Sequence, residues 1–111
     1  MLRPETAESL FVLWRLTRRH AHRNAAWALF SAFRNHSRTA QGAYASLDDV
    51  FGCHSQDATS SSHACKLKTR DDMPSFWLAE TLKYLYLIFD DDALPLNRFV
   101  FNTEAHPLPL E

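Results

Sequence analysis

Ser75-Phe76-Trp77-Leu78-Ala79-Glu80-Thr81-Leu82-Lys83-Tyr84-Leu85-Tyr86-Leu87-Ile88-Phe89 is the stretch whose reading decides the fold. Phe76, Ala79, Leu82, Tyr86 and Phe89 recur at helical spacing, which predicts an amphipathic helix opened by Pro74 and Ser75. It stops at Asp90-Asp91-Asp92, three acids at a carbonyl-rich helix end where the backbone dipole disfavours them, so they read as solvated. Within the run, Phe76 and Glu80 stand one turn apart on one face. The pattern alone makes the first a core residue and the second solvent-facing.

Upstream, Arg3-Pro4-Glu5-Thr6-Ala7-Glu8-Ser9 begins another helix, since Pro4 suits a first helical position and acids favour a helix N-terminus. Ala7, Leu10, Phe11 and Trp14, widened by Leu13 and Leu16, predict a helix from Pro4 to Thr17. A polar break from Arg18 to Arg23 leads to a second helix from Asn24 to Asn35, with Ala26, Leu29, Phe30 and Phe33 on one face beside Trp27. So short a link implies an antiparallel αα-hairpin. Gly42 to Leu47 reads as a short extended piece, and Asp48 to Met73 as a long polar loop without period, unusual inside a compact domain. Downstream, Arg98 to Phe101 reads as a strand, with a turn at Asn102-Thr103 and a return through Pro107 and Pro109. The expected class is all-α with a small closing β-hairpin.

Composition narrows the functions. A chain of 111 residues that is 46% hydrophobic suits one small domain and lacks the signature of disorder. The net charge is −1, and the one basic cluster (Arg15, Arg18, Arg19, Arg23) has no aromatic-interleaved groove, so it reads as a solvated helix end and not a nucleic-acid site. No apolar run reaches the length of a membrane span, and the first residues do not form a signal peptide. Cys53-His54 and His63-Ala64-Cys65 suggest zinc on paper, yet adjacent residues project to opposite sides of an extended chain and the spacing matches no standard finger. Asn35-His36-Ser37 is a glycosylation sequon, meaningful in the secretory pathway. His20, His22 and His36 read as surface residues.

In this order, the Arg3-Pro4-Glu5 segment, the Ser75–Phe89 run and Phe101-Asn102-Thr103-Glu104-Ala105-His106-Pro107-Leu108-Pro109 closely resemble the last part of the catalytic domain of the class I α-1,2-mannosidases, glycoside hydrolase family 47. The resemblance extends from Arg3 to Leu110 and weakens between Gly52 and Met73. It implies that residues 1–111 are the C-terminal helices and closing hairpin of an (α/α)7 barrel, incomplete in this chain. It assigns Glu5 as the base that activates the attacking water, Arg3 as a residue orienting carboxylate or sugar, and Phe76 as the platform beneath the saccharide. Calcium is the implied cofactor, bound by the hydroxyl and carbonyl of Thr103 and by waters held on Glu8, Glu80 and Glu104. It also implies an endoplasmic reticulum or Golgi lumen location, or secretion, with any targeting segment or membrane anchor lying upstream. In such a compartment Cys53 and Cys65 would close the loop as a disulfide.

The implied substrate is a high-mannose N-glycan, cleaved at terminal α-1,2-linked mannose with inversion. The partner acid and a further catalytic carboxylate fall, by the family pattern, before Met1, so the 111-residue chain is expected to be inactive alone. Three departures from the family stand out: Pro74 where a Glu is usual, no Gly-Asp-type turn between Thr17 and His22, and a longer, more polar stretch from Gly52 to Met73. None touches a site position. They leave open a second class, a non-catalytic truncated or degenerate member that binds glycan or a partner in glycoprotein quality control.

Overall fold

The computed structural model describes residues 2–51 and 67–111, and among these described residues three helical stretches and one hairpin form the fold. The order is α1 (Glu5–Thr17), α2 (His20–His36), a π-helical segment (Trp77–Leu82) running directly into α3 (Lys83–Phe89), then β1 (Phe99–Phe101) and β2 (Pro107–Pro109). Pro4 caps α1, its carbonyl accepting the Glu8 N–H at 2.8 Å, and Glu5 and Glu8 complement the dipole in the first turn. Ala7, Phe11 and Trp14 are buried. Leu13 and Leu16 do not widen that stripe. At about 100° per residue Leu16 falls opposite it, and it is 71% exposed.

The break after α1 is shorter than its polar sequence predicts. Arg18 takes a left-handed conformation (φ 55°), donates its N–H to the Trp14 carbonyl at 2.9 Å, and α2 starts at His20, a full turn earlier than expected. A helix end of this kind usually calls for glycine; here Arg18 holds the shape because its side chain is anchored on Asp91, 2.9 Å away. α1 and α2 pack against each other, and both pack on α3.

The third helical stretch also turns a different face inward than its spacing suggests. Trp77, Thr81, Tyr84, Leu85, Leu87 and Ile88 are buried, whereas Ala79 is exposed, Tyr86 is 62% exposed and Phe89 44%. Leu82 to Phe89 is apolar nearly all round apart from Lys83, so no polar face selects the orientation. The wider π turn, closed by i→i+5 bonds, further upsets a 3.6-residue count. The Tyr86–Phe89 face instead joins Trp27 and Phe30 in a groove of about 930 Å³.

Of the three acids after α3, Asp92 is exposed as its sequence suggests, but Asp90 and Asp91 are not simply solvated, nor is the arginine cluster. Asp91 accepts the Trp14 indole N–H at 2.7 Å and pairs with Arg18 at 2.9 Å and Arg23 at 3.6 Å. Asp90 accepts the Tyr86 hydroxyl at 2.7 Å. Arg15 donates to the carbonyls of Leu87, Asp90 and Ala93, and Arg23 to that of Ile88. Carbonyls left open by the helix end are thus met by guanidinium donors, and the cations offset the acids.

Gly42 to Leu47 forms no strand. Arg38 and Tyr44 bridge across a tight turn in which Gly42 has φ 87°, and Leu47 bridges to Thr69. Ser46 and Asp48 exchange backbone hydrogen bonds with Lys68, Arg70 and Asp72, which ties the two described flanks of the long loop together. β1 and β2 pair antiparallel, Phe99↔Pro109 through Phe101↔Pro107. Pro107 and Pro109 offer no N–H, and the ladder is completed by the N–H groups of Asn102 and Leu110, donated to His106 and Arg98. Phe11, Tyr84 and Phe101 stack in a triangle with centroids 5.5–5.8 Å apart, fixing the hairpin to both helices.

Candidate active site

The residues before α1 lie across the start of the third helical stretch. The Thr81 hydroxyl donates to the Leu2 carbonyl at 2.8 Å, and the Leu2 side chain is buried. That anchor brings Arg3 beside Phe76, the guanidinium carbon 6.0 Å from the ring centroid, at the outer limit of a cation–π contact. Arg3 also reaches Glu5 at 3.5 Å. Both side chains are more than half exposed, so the pair adds little stability and leaves the Glu5 carboxylate open to solvent. Arg3, Glu5 and Phe76 therefore share one neighbourhood.

The charges of both Glu8 and Glu80 are felt at the Tyr84 hydroxyl. Burial first, then the charges of Glu8 and Glu80, push the Tyr84 phenol up to about 12. Neither carboxylate pairs with a cation or accepts a hydrogen bond among the described residues. Glu8 lines a cavity of about 400 Å³ with Phe11, Tyr84 and Phe101.

Thr103 and Glu104 sit in the β1–β2 turn. The Asn102 side-chain oxygen accepts the N–H groups of Glu104 and His106, both at 2.9 Å, and the Ala105 N–H donates to the Asn102 carbonyl at 3.0 Å. Ala105 has φ 58° and is fully buried, and its carbonyl accepts Lys83 Nζ at 2.8 Å. This seats the turn on the helical stretch that carries Glu80. Thr103 is exposed, and its hydroxyl has no hydrogen-bond partner among the described residues. Glu104 faces His106, 3.4 Å away.

No three His, Cys, Asp or Glu side chains among the described residues are grouped to hold a metal directly. What the turn and helices offer is oxygen only: the Thr103 hydroxyl and carbonyl, and the unpaired carboxylates of Glu8 and Glu80. That set fits a hard cation bound largely through water, and not a thiolate-seeking metal. The Cys53–Cys65 pairing and the zinc alternative lie outside the described residues. Reading the sequence as residue types missed Lys83 and took Tyr84 as packing alone. The signal for Lys83 was a single cation inside an otherwise apolar run.

Residues 1–110 match the family model described as glycosyl hydrolase family 47. The chain belongs to glycosyl hydrolase family 47. It is 50% identical over 111 residues to the mannosyl-oligosaccharide 1,2-alpha-mannosidase MNS3 of Arabidopsis thaliana, covering 99% of this chain and 16% of that protein. It is 45% identical to the human endoplasmic reticulum mannosyl-oligosaccharide 1,2-alpha-mannosidase, covering 99% of this chain and 14% of that one. Among solved structures, the alpha-1,2-mannosidase from Trichoderma reesei superposes with a TM-score of 0.80 at 38% identity, over 100% of this chain and 22% of that chain. The glycosyl hydrolase family 47 segment seen here thus spans about a seventh of the length of these curated relatives.

Proposed function

We propose that this chain supplies the C-terminal part of the catalytic domain of a calcium-dependent α-1,2-mannosidase. Its substrate is a high-mannose N-glycan, trimmed with inversion in the endoplasmic reticulum or Golgi lumen or after secretion. The observation that carries this reading is the gathering of three distant motifs: Arg3 and Glu5 lie beside Phe76, Glu8 and Glu80 share Tyr84, and the Thr103 turn is tied to Lys83. In a full domain the helices would be the last of an (α/α)7 barrel, and the hairpin the segment that closes it.

Inverting hydrolysis needs a carboxylic acid to protonate the leaving oxygen and a carboxylate to take a proton from water, roughly 6.5–9.5 Å apart. Glu5 is the base: its carboxylate is open to solvent, and among the described residues no cation closer than Arg3 Nη1 at 3.5 Å holds it. Arg3 orients that carboxylate or a sugar hydroxyl. Phe76 offers its ring as an apolar floor for the pyranose. Thr103 would hold calcium, with Glu8, Glu80 and Glu104 gripping the surrounding waters. When bound, the ion supplies a template that orients sugar hydroxyls and the attacking water. The acid comes from outside these residues.

Release of mannose from a high-mannose N-glycan in calcium tests this, comparing the 111-residue chain with a version extended upstream. The short chain is expected to release none, and the extended one to turn over and lose activity on Glu5→Gln. Calcium-dependent turnover by the short chain alone would overturn the account of the missing acid. An extended chain that binds glycan without cleaving it would favour the non-catalytic reading.

A further inference from the structure

The hydrogen bonds inside the 102–106 turn give it a shape but do not set its height above the helices. Asn102 closes the turn on itself, through its side-chain oxygen and its backbone. The link outward is made by Ala105. Its methyl is buried in the core, and its left-handed backbone, unfavourable for a residue with a Cβ, is kept because the surroundings enforce it. Among the described residues, the one hydrogen bond from α3 to this turn is Lys83 Nζ to the Ala105 carbonyl, 2.8 Å. Lys83 stands three residues after Glu80, on the next turn of the same helical stretch. A charged donor on a carbonyl is stronger and shorter than a neutral one, and the contact is partly buried, so it persists where a surface contact would not.

We propose that Lys83 is a positioning residue for Thr103. Its ammonium pins the turn so that the Thr103 oxygens and the water shell of Glu80 address one ion. The inference rests on the calcium reading above and extends it to a residue that touches neither ion nor sugar.

The test uses the full-length protein with Lys83→Met, Lys83→Gln and Lys83→Arg, and with Lys68→Met as a control on a lysine whose side chain is 85% exposed. Calcium affinity is measured by calorimetry, the melting temperature in chelator, and the kcat and KM of mannose release separately. Lys83→Met is expected to weaken calcium binding about 10–100-fold, as removal of supporting contacts around metal sites does. Its metal-free melting temperature should stay near that of the wild type, Lys83→Arg should recover part of the affinity, and Lys68→Met should change nothing. Wild-type-like calcium affinity in Lys83→Met, or in Lys83→Gln should the Met variant not fold, overturns the role of Lys83 alone. A wild-type protein that binds no calcium overturns the calcium reading, and this inference with it.

Discussion

The two ends of the third helical stretch treat charge in opposite ways. At the C-terminal end, Asp90 and Asp91 find a phenol, an indole and two guanidinium groups, and Arg15 and Arg23 take up the carbonyls the helix leaves open. At the N-terminal end, Glu8 and Glu80 have no cation, Glu5 has a distant and exposed one, and Thr103 has no partner for its hydroxyl among the described residues. The saturated end is built to hold α1, α2 and α3 together. The open end leaves these exposed or half-exposed oxygen atoms to solvent, where the calcium reading proposed above would give them an ion to hold.

Substitutions should separate the ends cleanly. The largest effect is expected from Glu5→Gln in the full-length protein: mannose release should fall by about 10²–10⁴-fold, the share an acid–base group supplies, with the melting temperature unchanged. A stability loss with activity intact would place Glu5 among the structural residues and erase the contrast. At the other end Trp14→Ala should cost about 3–5 kcal/mol in denaturant unfolding, because it empties a buried site and takes away the hydrogen bond that Asp91 accepts beside its two arginines. Trp14→Phe, which keeps most of the ring, should cost less, about 1.5–3 kcal/mol, the value of a hydrogen bond to a charged acceptor.

Acid unfolding sharpens the comparison further. Desolvation works to raise the Asp91 carboxyl, but the Trp14 hydrogen bond and the charges of Arg18 and Arg23 prevail and hold it below its ordinary 3.8. Its contribution is therefore present above that ordinary value and lost as pH falls through the lower, folded one. Asp91→Asn should flatten that acid limb of the stability curve. The smallest effect lies at the open end. Tyr84 is held up at about 12 from 10.0, so what it contributes is intact below pH 10 and lost as pH rises through about 12. Glu8→Gln with Glu80→Gln should lower the Tyr84 titration, followed by tyrosinate absorbance, without bringing it fully to 10, because burial is the larger cause. Stability at neutral pH should move by less than about 0.5 kcal/mol. A larger loss would mean that these carboxylates are structural after all.

Much of the candidate site was legible because its residue types are grouped in short, recognisable motifs. Arg-Pro-Glu at a helix start, a glutamate in an apolar run and Asn-Thr-Glu before two prolines stand out as residue types. The helices were legible too, through Ala7, Phe11 and Trp14 in α1 and Ala26, Leu29 and Phe33 in α2. The inward face of the third stretch was not, since Leu82 to Phe89 offers apolar residues in almost every direction and packing chooses among them. Nor was the fate of Asp91, whose partners lie 77 residues away at Trp14 and almost as far away at Arg18 and Arg23, which follow no local pattern. Local spacing cannot report a bond made by tertiary contact. Lys83 falls between these cases: its oddity shows in sequence, its carbonyl partner only in space.

The π-helical turn from Trp77 to Leu82 has a geometric consequence for that open end. A π turn can be regarded as an α-helix carrying one residue more than the turn needs. Delete one residue there, Ala79 for instance, and the stretch can relax to ordinary α-helix. Everything before the deletion then swings by about 100° around the axis relative to everything after it, the angle one helical residue subtends. Phe76 would leave Arg3, while Lys83 and Tyr84 kept their places on the hairpin and the core. The number of residues between Phe76 and Lys83 is thus an angular setting, aiming the apolar ring at one compass point and the lysine anchor at another.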